Sequence, residues 1–209
     1  MDEGSTIEYY NKNAREFYAG TLFANVQAIQ ETFLEKLPMD ALILDFGCGS
    51  GRDTKYFMEK GFQVEAMDGS SKLCKMASEY TGIQVKQALF QDLDEVDKYD
   101  GIWACSSILH VPMAAQSLIF RKMARALKAN GVIYVSYKYG VFEGNRNGRY
   151  FTDMTERTFW ELVKDMTELE QEKQWVTSDV RPGREDERWL NIILRKKWIS
   201  QAAILEKKN

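Results

Sequence analysis

The chain has 209 residues, 28 basic and 31 acidic side chains, three cysteines and one histidine. Its length suits one domain with a sizeable core, and 44% apolar and 12% aromatic content excludes disordered, collagen-like and low-complexity architectures. A net charge of -3 argues against a surface built to coat nucleic acid or anionic membrane, and for a small partner.

The lone imidazole, His110, and thiols at Cys48, Cys74 and Cys105 give no usual metal-ligand spacing. Three thiols cannot all pair, which fits a reducing cytosol. No apolar run reaches membrane-spanning length, and the opening Met-Asp-Glu-Gly-Ser-Thr lacks the pattern of a signal peptide. A cytoplasmic protein, monomer or homodimer, is the expectation, with amino-terminal helices over 1–38, a core over 39–197 and a tail over 198–209.

Ile7, Tyr10, Ala14 and Phe17 share a stripe that predicts a helix over 6–18. Leu22, Val26, Ile29, Phe33 and Leu37 predict another over 22–37, ending before Pro38. From residue 41 the period changes. Ala-Leu-Ile-Leu-Asp-Phe reads as a buried strand entering a Gly47-Cys48-Gly49-Ser50-Gly51 turn, with a helix from Arg52 to Lys60 stopped by Gly61.

A second strand, 63–68, precedes a helix capped by Ser70 or Ser71 that turns Leu73, Met76, Ala77 and Tyr80 inward. Strands follow over 83–89 and 100–105. Pro112 opens a helix whose core face is Leu118, Phe120, Met123, Ala124 and Leu127, and Asn130-Gly131 turns into a fifth strand. This alternation predicts an α/β fold, a parallel sheet with helices on both faces. After a helix from Thr155 to Met166, segments 168–178 and 187–195 flank Arg181-Pro182-Gly183-Arg184 as an antiparallel pair. The tail reads as a short helix or a frayed end.

The third glycine of the 47–51 turn falls one place too early for the dinucleotide fingerprint, and Arg52 holds that fingerprint's last glycine position. Glycines let a backbone approach a ligand, and the following helix offers unpaired N–H groups to an anion. Asp68 lies 19 residues beyond Gly49 at a strand end, where a carboxylate accepts from a ribose diol. The ligand should contain a nucleoside.

Through Ile43–Gly51, Glu65–Ser70, Tyr99–Ala104, Leu109–Pro112 and Arg125–Gly131, the sequence resembles the class I S-adenosylmethionine-dependent methyltransferases. Tyr9–Ala14 with Gly51–Thr54 is similar to the small bacterial branch that includes tellurite-resistance-type enzymes. The resemblance implies a Rossmann-like sheet of seven strands, mostly parallel with the last antiparallel. The cofactor would lie across the carboxyl ends of the first strands and leave as S-adenosylhomocysteine. It also implies that Gly47 and Gly49 lie along the methionine part, that Asp45 helps hold its amino group and that Asp68 binds the ribose. Cys48, Arg52 and Gly69 would join these contacts. Leu89 and Phe90 would border the adenine, with Leu89 standing where many relatives have aspartate, so that backbone groups or Gln91 would replace that contact. Tyr10 would close over the cofactor, and Ala104 and Cys105 would form the floor of its methionine arm. Cys48 and Cys105 read as packing residues rather than nucleophiles.

Methyl transfer needs alignment and exclusion of water, and a base only where the acceptor must lose a proton. His110, after the fourth strand, is the candidate base; its alternative role is to shape the loop before Pro112. Lys138, Arg146, Arg149, Arg181 and Arg184 are candidate substrate contacts for an anionic acceptor, against the alternative of a solvated charged loop. A small-molecule acceptor is the leading expectation. A protein or nucleic-acid acceptor and a non-catalytic cofactor-binding module are the alternatives, although Ala104-Cys105-Ser106-Ser107 lacks the Asn/Asp-Pro-Pro-Tyr motif of DNA amino-methylating enzymes. Nicotinamide-dependent reduction is disfavoured by the glycine spacing, and Tyr134 and Lys138 lie in a strand rather than on a dehydrogenase helix.

Overall fold

The computed structural model describes residues 3–197; the expected tail over 198–209 lies outside them. The amino-terminal stripe forms two helices, α1 (Glu3–Lys12) and α2 (Ala14–Thr21). They part at Asn13, whose side-chain amide donates to the Tyr9 carbonyl at 2.8 Å. The helix expected over 22–37 is only α3 (Gln27–Leu34). Asn25 Oδ1 accepts the Gln27 N–H at 3.1 Å, so the chain turns before the helix starts.

Then follow β1 (Leu42–Phe46), α4 (Arg52–Glu59), β2 (Gln63–Asp68) and α5 (Ser71–Thr81), close to their expected bounds. Ser70 Oγ caps α5 by accepting the Leu73 N–H. The strand expected over 83–89 shrinks to β3 (Lys86–Gln87), because Asp92 Oδ2 accepts the Leu89 N–H at 2.8 Å and winds residues 90–92 into a single tight turn. β4 (Tyr99–Ala104), α6 (Met113–Ala126) and β5 (Leu127–Lys138) come next. On α6, Leu118 is 52% exposed and Ile119 is buried in its place. Leu118 lies two residues before Phe120, about 200° around the helix, and so faces outward.

The segment after β5, read from sequence as a loop, is a two-stranded ribbon of β6 (Glu143–Arg146) and β7 (Arg149–Thr152). α7 (Glu156–Val163), β8 (Leu169–Ser178) and β9 (Arg188–Lys196) complete the described chain. The main sheet runs β3-β2-β1-β4-β5-β9-β8, and β9 alone opposes the rest. The seven-stranded sheet with one antiparallel strand is therefore present as expected.

Period-two alternation divides the core. Leu44, Phe46, Ile102, Ala104, Ile133 and Val135 face Phe120, Met123 and Phe159 of α6 and α7. Ile43, Trp103, Val132, Tyr134 and Ile193 face Phe33 and Phe57 of α3 and α4. With both faces buried, the open edge of the sheet is the carboxyl end of its parallel strands. There β1 and β4 send their connections to opposite sides, the usual place for a ligand in such a sheet. Among the described residues no helix is long and apolar enough to cross a membrane.

Candidate active site

After Phe46 the chain turns through the glycine loop into α4. Gly47 (φ +90°) and Gly49 (φ +56°) adopt left-handed backbone, and a Cβ on Gly47 would lie 2.5 Å from Ser107 Cβ. On Gly49 it would meet the Phe17 ring at 3.0 Å. What remains is a bare backbone ledge beside the first peptide groups of α4. Asp68, the last residue of β2, stands across it. Its Oδ2 accepts the Gly49 N–H at 2.9 Å and its Oδ1 the Ser70 N–H at 2.8 Å. Burial pushes this carboxyl up, and the two backbone donors oppose the shift. Each oxygen retains a lone pair for a further donor.

In front of the ledge is a largely apolar cavity bordered by Ile7 of α1, by Gly69, and by Leu89, Phe90 and Gln91 after β3. The Phe90 ring packs on Phe46, 4.8 Å between centroids. A second, more polar cavity adjoins it and shares Tyr10, Phe17, Gly47, Gly49, Ser106 and His110. Cys48, Arg52 and Cys105 line only this second part. Burial pushes the Cys105 thiol up to about 11 and raises Cys48 well above its ordinary value, so neither is a thiolate at neutral pH.

Arg52 is held in place by a buried network. Its Nε and Nη2 donate to the two oxygens of Asp53 at 2.7 and 2.8 Å. Asp53 also accepts from Gln30 Nε2 at 2.6 Å and from Trp103 Nε1 at 2.8 Å. Burial disfavours the Asp53 charge, but Arg52, Trp103 and Gln30 outweigh it and keep the carboxyl below its usual range. Asp45 lies beneath the loop and lines neither cavity; its Oδ2 accepts the Thr54 hydroxyl at 2.6 Å. Burial and the negative charge of Asp53 raise its carboxyl. Ala104 is buried in the sheet below the site.

His110 reaches the second cavity from the turn after β4. Its Nδ1 lies 2.6 Å from the Tyr150 carbonyl oxygen and its Nε2 lies 2.8 Å from Tyr10 Oη. Enclosure drives the imidazole down to about 4, with the nearby Arg149 charge adding to the effect and the Tyr150 carbonyl opposing it. Arg149, on β7, stacks over the rings of Tyr9, Tyr10 and Phe151 at 4.7, 5.7 and 5.1 Å. Lys138 pairs with Glu187, Arg181 with Asp179, and Arg184 with Glu187 at 3.8 Å; all three cations line the second cavity. Arg146 does not line it: its guanidinium is spent on Asp153 inside the ribbon, between Phe142 and Phe151.

Residues 43–131 match the family described as a methyltransferase domain. The match covers less than half of the chain. The chain is 31% identical over 106 residues to the ubiquinone biosynthesis O-methyltransferase of Xanthomonas axonopodis pv. citri, covering 47% of this chain and 44% of that protein. It is 30% identical over 104 residues to the YqeM protein of Bacillus subtilis, covering 46% of this chain and 42% of that one. The chain thus matches less than half the length of these curated relatives. In three dimensions it resembles the 1,6-didemethyltoxoflavin-N1-methyltransferase of Burkholderia thailandensis, solved with 1,6-didemethyltoxoflavin and S-adenosylhomocysteine. The TM-score is 0.70 at 21% identity, over 91% of this chain and 85% of that one. The fold is that of the class I methyltransferases.

Sequence reasoning located the ledge, Asp68, Tyr10 and His110, and the structure brings them to one cleft. It did not find Phe17 against Gly49, the Gln30–Asp53–Trp103 cradle, Asp179, or Phe151 of the ribbon. The ribbon had a signal: Asn147-Gly148 is a hairpin dipeptide, and both residues take positive φ, 52° and 77°, between β6 and β7. The Asp53 cradle had none, since Gln30 and Trp103 are distant in sequence and meet only when α3 packs on the sheet.

Proposed function

We propose that this chain is an S-adenosylmethionine-dependent methyltransferase whose acceptor is a small molecule bearing an anionic group. The observation that carries the reading is the two-part cleft, an apolar half and a cationic half joined at Tyr10, His110 and the glycine ledge. The residues present fit the cofactor. The ledge at Gly47 and Gly49 leaves room that a Cβ would fill, which suits the methionine chain. Asp68 would accept from the ribose hydroxyls, and the slot at Leu89 and Phe90 would take the adenine, with Gly69 beside it. Arg52, fixed by Asp53, would hold the carboxylate, with Cys48 and Cys105 as neutral walls. Asp45 would serve from beneath, bracing α4 through Thr54, and Ala104 would support the floor.

When bound, this cofactor supplies a methyl group on positively charged sulfur, so the chain's own task is to align the acceptor, exclude water and take up any proton released. Tyr10 and Phe17 cover the junction from α1 and α2. Arg149 supports an anionic acceptor. Lys138, Arg181 and Arg184 each have a carboxylate partner, whereas the Arg149 Nε is buried without one.

Calorimetric titration with S-adenosylhomocysteine tests the cofactor half, with micromolar binding expected. Transfer of labelled methyl from S-adenosylmethionine to small carboxylate-bearing acceptors tests the other half. Absence of binding by either cofactor form would refute the reading.

A further inference from the structure

Both nitrogens of the chain's one imidazole are committed. Nδ1 lies 2.6 Å from the Tyr150 carbonyl oxygen, which can only accept, so the ring proton sits on Nδ1. The enclosed ring is neutral at neutral pH. Nε2 therefore holds a lone pair, and Tyr10 Oη, 2.8 Å away, donates to it. This leaves two lone pairs on Tyr10 Oη: one accepts from Arg149 Nη1 at 3.4 Å and the other is left for a ligand in the cleft, both halves of which Tyr10 lines. His110 lines both halves as well, but neither of its nitrogens is left to meet a ligand.

We propose that Tyr10, rather than His110, is the catalytic residue that meets the acceptor: its phenol oxygen takes the proton of an O–H or N–H nucleophile while its own proton passes to His110 Nε2. The proposal rests on the methyl-transfer reading above and narrows its acceptors to protic nucleophiles carrying a separate anion for Arg149. The step balances. The acceptor atom bonds the methyl carbon with one lone pair and keeps the pair of its broken X–H bond. The carbon–sulfur pair stays on sulfur, and the positive charge ends on the imidazole. His110 is then a positioning residue and the last holder of the proton, with Nδ1–H directed at the Tyr150 carbonyl.

A weak base is adequate for this step, because an oxygen or nitrogen gaining a methyl group becomes strongly acidic as the bond forms. Charged and titratable neighbours face the pair from every side: Tyr9 on α1, Asp68 at the end of β2, Arg149 on β7 and Arg181 between β8 and β9. Arg149 disfavours an imidazolium that persists, which returns the proton to solvent once product leaves.

Because the chain has a single histidine, ¹⁵N NMR of selectively labelled protein reads this ring alone. A neutral, Nδ1-protonated ring is expected at pH 6, with and without S-adenosylhomocysteine. Salicylate, anthranilate and thiosalicylate then serve as acceptors, each pairing a carboxylate with a different nucleophile. Tyr10→Phe is expected to lower kcat on salicylate and anthranilate by about 10²–10⁴, with KM within about threefold. The loss on thiosalicylate, which reacts as a thiolate, is expected to be at least about tenfold smaller. His110→Gln can still accept from Tyr10 but cannot hold the proton, and should lose kcat alongside Tyr10→Phe while S-adenosylhomocysteine binding persists. An Nε2-protonated or charged ring at pH 6 overturns the proposal. So does undiminished kcat in Tyr10→Phe, or no transfer to salicylate and anthranilate by protein that binds S-adenosylhomocysteine. Failure to bind S-adenosylhomocysteine overturns the underlying methyltransferase reading instead, and leaves the NMR result standing on its own.

Discussion

Replacing Asp53 by asparagine changes almost no volume and removes one charge, at a carboxylate that is 7% exposed. Four donors converge on it: Arg52 Nε and Gln30 Nε2 on Oδ1, Arg52 Nη2 and Trp103 Nε1 on Oδ2. An amide offers one acceptor oxygen, so whichever way it turns, two of these donors face an NH₂ group and Arg52 loses its counter-charge. Stranding two buried donors costs about 1–3 kcal/mol each, and removing one partner of a buried ion pair costs about 3–5 kcal/mol by direct comparison. The ranges agree near 4 kcal/mol. For a chain of this size about 1 kcal/mol moves Tm by roughly 2–4 °C, so a fall of about 8–16 °C is expected by calorimetric or circular-dichroism melting at pH 7. The Asp53 carboxyl lies below its usual range, so the wild-type advantage is present above the ordinary carboxylate range and fades only as pH falls through it. A Tm within about 2 °C of wild type would refute the view that this carboxylate anchors Arg52.

Asp68→Asn keeps one acceptor oxygen but places an amide against the backbone donors of Gly49 or Ser70; S-adenosylhomocysteine affinity is expected to fall about 30-fold or more, roughly 2–3 kcal/mol, by calorimetry. Gly47→Ala puts a methyl 2.5 Å from Ser107 Cβ on a left-handed backbone, and should abolish cofactor binding with a lowered Tm. Gly61→Ala, at φ +91° with nothing within 4 Å, should lose only about 1 kcal/mol in urea unfolding and bind normally. His110 is held down at about 4 against 6.5 for a free imidazole, so the unfolded chain binds the proton more tightly between those values. Its contribution is complete above pH 6.5 and is lost as pH falls toward 4, by up to about 3 kcal/mol. The difference in urea stability between wild type and His110→Gln should shift toward the variant by about 2.4 kcal/mol from pH 7 to pH 4.5; a pH-independent difference would contradict it.

Strands β1, β2, β4 and β5 and the glycine ledge were legible because their signals are local. Ile43 and Leu44 are sent to opposite faces by period-two alternation, and Gly47 and Gly49 mark a left-handed backbone with Ser107 and Phe17 where a Cβ would go. The stripe from Leu22 to Leu37 shows where such reading stops. Leu22 and Phe33 are buried as the spacing implies, yet Phe23 is 85% exposed and the chain turns at Asn25. Apolar spacing reports which side chains face the core and does not require the backbone between them to be one helix. The candidate acceptor residues divide for a different reason. Arg146 and Arg149 are three residues apart on the ribbon, but Arg146 meets Asp153 while Arg149 points over Tyr10, and neither partner is adjacent in sequence. Charge type was readable; which charges were already neutralised was set by tertiary packing.

The ribbon's position also bears on the order in which the molecule assembles. Tyr150 joins it to the start of the chain through its N–H, donated to Thr6 Oγ1 across 144 residues, and to the turn after β4 through its carbonyl and His110. Closing so long a loop carries an entropic cost that is recovered only once the intervening strands have paired. The βα units can form from neighbouring segments, whereas the cover over the cleft must wait for both α1 and β7. The cover over the cleft is therefore expected to form after the sheet and to open before it, which native-state hydrogen exchange at the Tyr150 N–H would read.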